Sequence, residues 1–224
     1  MASYRLNIAR IRGCPPPQEL AGAMEEFGLP GSEEFGVLHV SITGKSAFGT
    51  IVRRTQQAVP RLDTEAREVT DTVIEKATVY PFGVRPDAEV LEVYAGSASS
   101  IEQVGLFFSS CLALPTVVEG IELDVPAAVD KLRKTTEKFQ LHSVRVSDYA
   151  HSSFMSGPYA PRFLDTQHGR DFLEEYAEVV TSAGVRFLCP GGRAIVHLSP
   201  KAAFRFRCSD EDHPFVQSIL RKLA

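Results

Sequence analysis

The chain is sparing with cysteine. Its four cysteines, Cys14, Cys111, Cys189 and Cys208, form no Cys-x-x-Cys pair, and none has a histidine at metal-ligand spacing. That argues against a zinc-ribbon or dithiol reading and predicts reduced, mostly buried thiols, as suits a reducing cytoplasm. Long apolar runs are also missing. The longest, "VGLFFSSCLAL", is broken by serines and far too short to span a bilayer. "MASYRLNIAR" lacks the apolar core of a signal peptide. The expectation is a cytoplasmic chain without membrane contact.

Excess positive charge is missing as well. The formal net charge is −4 and the sequence pI about 5.9. Nucleic-acid binders usually carry a basic excess, so only a local cationic face would serve that partner. Residues 1–115 hold 10 of the 24 Lys/Arg and 14 of the 28 Asp/Glu, which leaves 14 of each in residues 116–224. A cationic surface is therefore expected in the second half.

Catalytic signatures are scarce. Gly44-Lys45-Ser46 has the ending of a phosphate-binding loop, but the first glycine that motif requires falls on His39, inside an alternating apolar stretch. A strand-like run, "AFGTIVRR", follows where the motif needs a helix N-terminus. Gly44-Lys45 instead reads as a type II′ hairpin turn. "PGGR" is another hairpin turn. "SDEDHP" (Asp210, Glu211, Asp212, His213) reads as helix capping, with Ser209 or Asp210 as the cap, rather than as a metal site. No Rossmann glycine fingerprint or HExxH helix occurs, so no cofactor or metal is expected.

What the sequence does have is regular alternation. "SYRLNIARIR" sets Tyr4, Leu6 and Ile8 against Arg5, Asn7 and Ala9, a half-buried strand. "CPPPQELAGAMEEFG" is a helix with a proline entry and Gly28 at its end. "EFGVLHVSIT", "SAFGTIVRR", "IEKATVYPFGV" and "AEVLEVYAG" are strands, while the polar "RLDTEAREVTDT" between them reads as a loop or short helix. "SASSIEQVGLFFSSCLAL" is a helix capped by Ser97 or Ser99. The second half runs through strand "TVVEGIEL", a helix capped by Asp124, and strand "FQLHSVRVSDY". An irregular segment, "AHSSFMSGPYAPRFLDTQ", and a helix over 168–183 with Gly184 as its C-cap follow. Strands "VRFLC", "GRAIVHLS" and "KAAFRFRC" and a closing helix complete it.

Both halves thus approximate β-α-β(n)-α, and an internal duplication over 1–115 and 116–224 explains the order economically. The fold class is α+β: two tandem halves forming a mainly antiparallel sheet, with helices on one face and the other face open. This element order resembles the tandem fold of TATA-box-binding proteins. The resemblance lies in order alone, and no residue of that family is carried over.

An open sheet face gives the arginines a role. In "AAFRFRC", Phe204 and Phe206 alternate with Arg205 and Arg207, so core-facing phenylalanines project both arginines outward. Arg186, Arg193 and His197 join them on neighbouring strands, and Lys131, Arg133, Lys134 and Lys138 add a basic helix end. In the first half the matching outward set, Glu89 or Val90 with Glu92 and Tyr94, is acidic or mixed. Three functions stay open. One is a non-catalytic binding protein that grips nucleic acid, DNA or RNA, with the basic face. Another is an oligomerising or protein-assembly subunit. The third is a hydrolase centred on 148–170, with Asp148, His151, Ser153 and His168 as its reactive groups.

Overall fold

A computed structural model of the chain describes residues 1–28, 34–64, 68–113, 115–152 and 155–224. The protein is α+β, with antiparallel strand pairing and five helices among the described residues. It divides into two compact units. The meander unit comprises Met1–Arg10, Gly96–Ile101 and Glu119–Ala224, and the arm unit comprises Ile11–Ala95 and Glu102–Val118.

In the meander unit, β1 (Ala2–Arg12) pairs with β11 (Ala203–Cys208). The order continues through β10 (Gly192–Leu198), β9 (Val180–Cys189), β7 (Glu137–Ser152) and β8 (Met155–Tyr159), antiparallel throughout. The alternation read from the sequence holds in the last three strands. Phe204, Phe206 and Cys208 are buried between exposed Arg205 and Arg207. Ala194, Val196 and Leu198 are buried beside exposed Arg193 and His197, and Val185, Phe187 and Cys189 beside exposed Arg186. α3 (Val125–Thr135) packs on β7 and β9 through Val125, Ala128, Val129 and Leu132. α5 (His213–Arg221) packs on β11 through Val216, Ile219 and Leu220. Apolar residues spaced at three and four thus cover the apolar register of the strands. Asp124 caps α3 as its sequence predicts, accepting from the Ala127 amide at 3.0 Å.

Three local readings are corrected. The helix expected over 168–183 stops early: α4 spans Thr166–Glu175, a 3₁₀ turn covers Ala177–Val179, and Gly184 lies inside β9 rather than capping a helix. β-branched Val179, Val180 and Thr181 favour the extended chain there. The segment read as irregular is strand in part: it holds the end of β7, to Ser152, and β8, while 153–154 lie outside the described residues and 160–165 carry only a bridge at Arg162. α5 is capped at neither Ser209 nor Asp210: Asp212 occupies the N-cap position without capping through its side chain. Its buried carboxylate turns instead to the Gly191 amide at 2.8 Å and the Ser209 hydroxyl at 2.7 Å, tying the "PGG" turn to the helix start.

In the arm unit, β2 (Phe35–Thr43), β3 (Ser46–Asp63), β4 (Glu68–Arg85) and β5 (Val90–Val93) form an antiparallel series. α1 (Pro17–Phe27) packs on β2 and β3, and Phe107 and Phe108 of α2 (Ser99–Cys111) are fully buried. The Phe108 ring meets Phe82 edge-on at 5.3 Å, and Phe107 meets Phe27 at 5.3 Å. Gly49 lets this core close: a Cβ there would stand 2.7 Å from Met24 of α1 and from the Phe82 ring. The Gly44-Lys45 turn is as expected, with Thr43 opposite Ser46 and φ +58 at Gly44.

Of the stretch read as a loop or short helix, 61–63 and 68–72 are instead strand, while 65–67 lie outside the described residues. β3 and β4 stay paired from Ala47–Val84 out to Asp63–Glu68, whereas β2 accompanies β3 only to Arg53 and β5 accompanies β4 only over Phe82–Arg85. Beyond that body the hairpin continues as a two-stranded arm. Its alternation is weak because solvent lies on both sides, so polar residues carry no topological signal there. The register nevertheless places Ala58, Pro60 and Leu62 on the same face as Val69, Asp71 and Val73. Leu62, Val69 and Val73 are 63%, 67% and 63% exposed.

Phe108→Ala is expected to cost about 3–5 kcal/mol through lost burial and the cavity left against Phe82. Urea unfolding followed by circular dichroism measures it.

Candidate nucleic-acid interface

The register of the meander unit sets its outward side chains in rows. Arg5 of β1 lies directly opposite Arg205 of β11, and Arg205 opposite His197 of β10. His197 is opposite Gly184 of β9, which is opposite Ser143 of β7. The adjacent row runs Ser3, Arg207, Ile195, Arg186, Gln140. Arg193 stands two residues before Ile195 on the same side of β10. Four of the arginines expected at this face, Arg186, Arg193, Arg205 and Arg207, therefore share it. Among the described residues none of the four forms an ion pair.

Like charges directly opposite each other on neighbouring strands destabilise a sheet, and Arg5 faces Arg205 in this way. His197 has its pKa pushed below the ordinary value of 6.5 by burial, then by His142, Arg205 and Arg207. His142 is lowered likewise, by burial and by Arg186 and Arg162. The two rings meet edge-on at 5.9 Å. Gly184 leaves room for them: a Cβ there would lie 2.2 Å from the Ser143 hydroxyl and 3.2 Å from the His197 ring.

Arg5, His142 and Arg162 were not among the residues singled out from the sequence. Arg5 was legible as an outward residue of β1. What the sequence does not carry is the pairing of the first strand with the last, across nearly the whole chain. Arg162 reaches β7 through an isolated bridge to Ser143.

Lys131, Arg133 and Lys134 are not brought to this face. They lie on α3, which covers the buried side of β7 and β9. Lys131 donates to the Lys222 carbonyl and Arg133 pairs with Asp130 at 3.4 Å. Lys138 takes a left-handed φ of +47 where the β7–β9 register shifts.

The hydrolase residues do not assemble around a described nucleophile. Asp148 is exposed on β7, Ser153 lies outside the described residues, and so does the side chain of His151. His168 is held by Asp165 at 2.6 Å, and Asp165 also accepts the Gln167 and His168 amides as the N-cap of α4. That contact with His168, then the two amides, lowers the Asp165 pKa. Packing organises the segment: Tyr149 stacks near Tyr159 at 4.5 Å and Tyr176 at 5.3 Å, and Phe172 near Tyr176 at 4.7 Å. In "SDEDHP", Asp210 accepts the Tyr4 hydroxyl and the His213 ring packs on Tyr4 at 4.3 Å.

The outward acids expected in the first half, Glu89 and Glu92, are matched within the arm unit. Glu89 pairs with Arg12 at 3.8 Å, and buried Glu92 pairs with Arg85 at 3.1 Å and accepts the Tyr94 hydroxyl at 2.7 Å. The cysteines are free, Cys189 and Cys208 buried and Cys14 and Cys111 half-buried. Among the described residues no helix is long and apolar enough to cross a membrane. Comparison with protein families finds no matching family, and comparison with curated proteins finds no matching relative.

The histidine shifts give a signed expectation. Because the folded pKa of His197 lies below its unfolded value near 6.5, the unfolded chain binds more protons as pH falls through that range, and stability falls with it. Histidine NMR titration should place His142 and His197 below 6.5, with His197 moving upward in Arg205→Gln/Arg207→Gln.

Proposed function

We propose that the protein is a non-catalytic binding protein whose meander face grips the phosphate backbone of nucleic acid. The observation that carries this reading is the pair of rows containing Arg5, Arg205, Arg207 and Arg186 on an open sheet surface with no carboxylate partner for Arg186, Arg205 or Arg207 among the described residues. A phosphate chain would relieve the repulsion between facing guanidinium groups and exploit their fork geometry. Such contact is sequence-independent and fits a chain whose global charge is negative while one surface is locally cationic. A tandem order of the TATA-box-binding kind, with its exposed sheet, is consistent with this use of strands.

The apolar stripe of the arm favours a second reading, self-association. A two-stranded ribbon is marginal in water on its own. The arm mixes Arg61 and Lys76 with Glu68, Asp71 and Glu75, which suits a copy of itself better than a phosphate chain. Two arms stacked stripe on stripe about a two-fold axis would need to bury about 1,000 Å² in total to form a specific interface.

Fluorescence anisotropy with labelled DNA and RNA tests the first reading. Four phosphate contacts predict a log–log salt slope of about −3 to −4 on duplex DNA. Arg205→Glu/Arg207→Glu is expected to weaken binding by at least about tenfold, and Lys134→Glu on α3 to leave it unchanged. Undiminished binding by the double variant overturns the reading. For the second, sedimentation velocity should show a dimer that Val69→Asp/Val73→Asp converts to monomer; a wild-type monomer at about 100 µM rejects it.

A further inference from the structure

One end of the cationic face is walled. Gly96, Ser97 and Ala98 stand beside β1, and the Gly96 carbonyl accepts from Arg5 Nη1 at 2.5 Å. Between this wall and the strands lies a cleft of about 230 Å³, lined among others by Arg5, Arg205, His197, Ser97, Ser182 and Ser199. All of these belong to the meander unit.

We infer that this cleft seats a single phosphomonoester, the terminal phosphate of a nucleic acid lying on the arginine rows. The inference rests on the reading of that face as a phosphate-binding surface and assigns its closed end. The volume is below the ~300 Å³ at which sites for whole drug-sized ligands begin, so the cleft takes a charged group with part of its sugar rather than a nucleotide. The donors outnumber what a carboxylate can use. Two guanidinium groups from facing strands, an imidazole and the Ser182 and Ser199 hydroxyls suit the three terminal oxygens of a phosphomonoester, whereas a carboxylate offers two; the Ser97 hydroxyl is already bonded to that of Ser99 at 2.5 Å. A phosphodiester also offers two and must continue on both sides, which the Gly96–Ala98 wall obstructs. The open side leads to Arg207 and Arg186 in the adjacent row, where the rest of the strand would run.

The test compares twelve-nucleotide single strands bearing a 5′-phosphate, a 3′-phosphate or only hydroxyl ends, internally labelled and read by anisotropy. One phosphorylated end should bind at least about tenfold tighter than the hydroxyl-ended strand. Ser182→Asp, which sets a carboxylate in the cleft, should lower affinity for the phosphorylated strand more than for the hydroxyl-ended one and so remove that preference. Equal affinity for all three strands overturns the inference and leaves the cationic face standing. A second readout is thermal denaturation with inorganic phosphate, which should stabilise the wild type and not Ser182→Asp. If no strand binds but phosphate stabilises in this selective way, the seat stands for a small phosphate ester and the nucleic-acid reading falls. If neither effect is seen, both fall.

Discussion

Phenylalanine positions arginine in this protein. Phe204 and Phe206 are fully committed to the core, and a strand has a side-chain period of two, so Arg205 and Arg207 have nowhere to point but away from it. The same constraint acts through Val196 on His197 and through Val185 and Phe187 on Arg186. Sliding β11 by a residue would bury two guanidinium groups and expose two phenylalanine rings, at a cost far above the repulsion between facing cations. Hydrophobic burial thus holds together a charge arrangement that electrostatics alone would disperse. A surface built this way is preorganised, because its cations are fixed by the core behind them.

The parts legible from the sequence are those where the core writes the pattern. Alternation in "AAFRFRC" and "GRAIVHL", the Asp124 cap and the Gly44-Lys45 turn all follow from local rules, and the structure contains them. The illegible parts depend on distant partners. Nothing near Arg5 says that β1 will lie beside β11. Nothing near Gly184 says that it must stay bare because Ser143 and His197 crowd over it from strands on either side. The polar run after Arg54 misled for a related reason. A ribbon wet on both faces needs no apolar alternation, so its sequence resembles that of a loop. The early end of α4 shows the reverse: the amphipathic spacing continued past Tyr176, but β-branched residues and pairing with β7 and β10 drew the chain into β9.

The two units use antiparallel pairing differently. In the meander unit each strand from β11 to β7 has a neighbour on both sides, and the unit exposes a face. In the arm unit β3 and β4 outrun their neighbours and expose edges as well as faces. Free edges are ordinarily guarded by charge or proline, and Pro60, Arg61, Asp71 and Lys76 occupy such positions along the arm. Exposed apolar residues lie on both faces of the arm, Ile74 on the side opposite Leu62, Val69 and Val73.

The thiols have a practical consequence. Burial lifts Cys14, Cys111 and Cys189 to pKa values of about 11, so the thiolate fraction of each at neutral pH is on the order of one in ten thousand. Alkylating reagents attack thiolates, and these three sulfurs are close to inert toward them. An exposed cysteine introduced on the arm or beside the arginine rows would react ahead of these three and of Cys208, whose buried thiol is also raised in pKa.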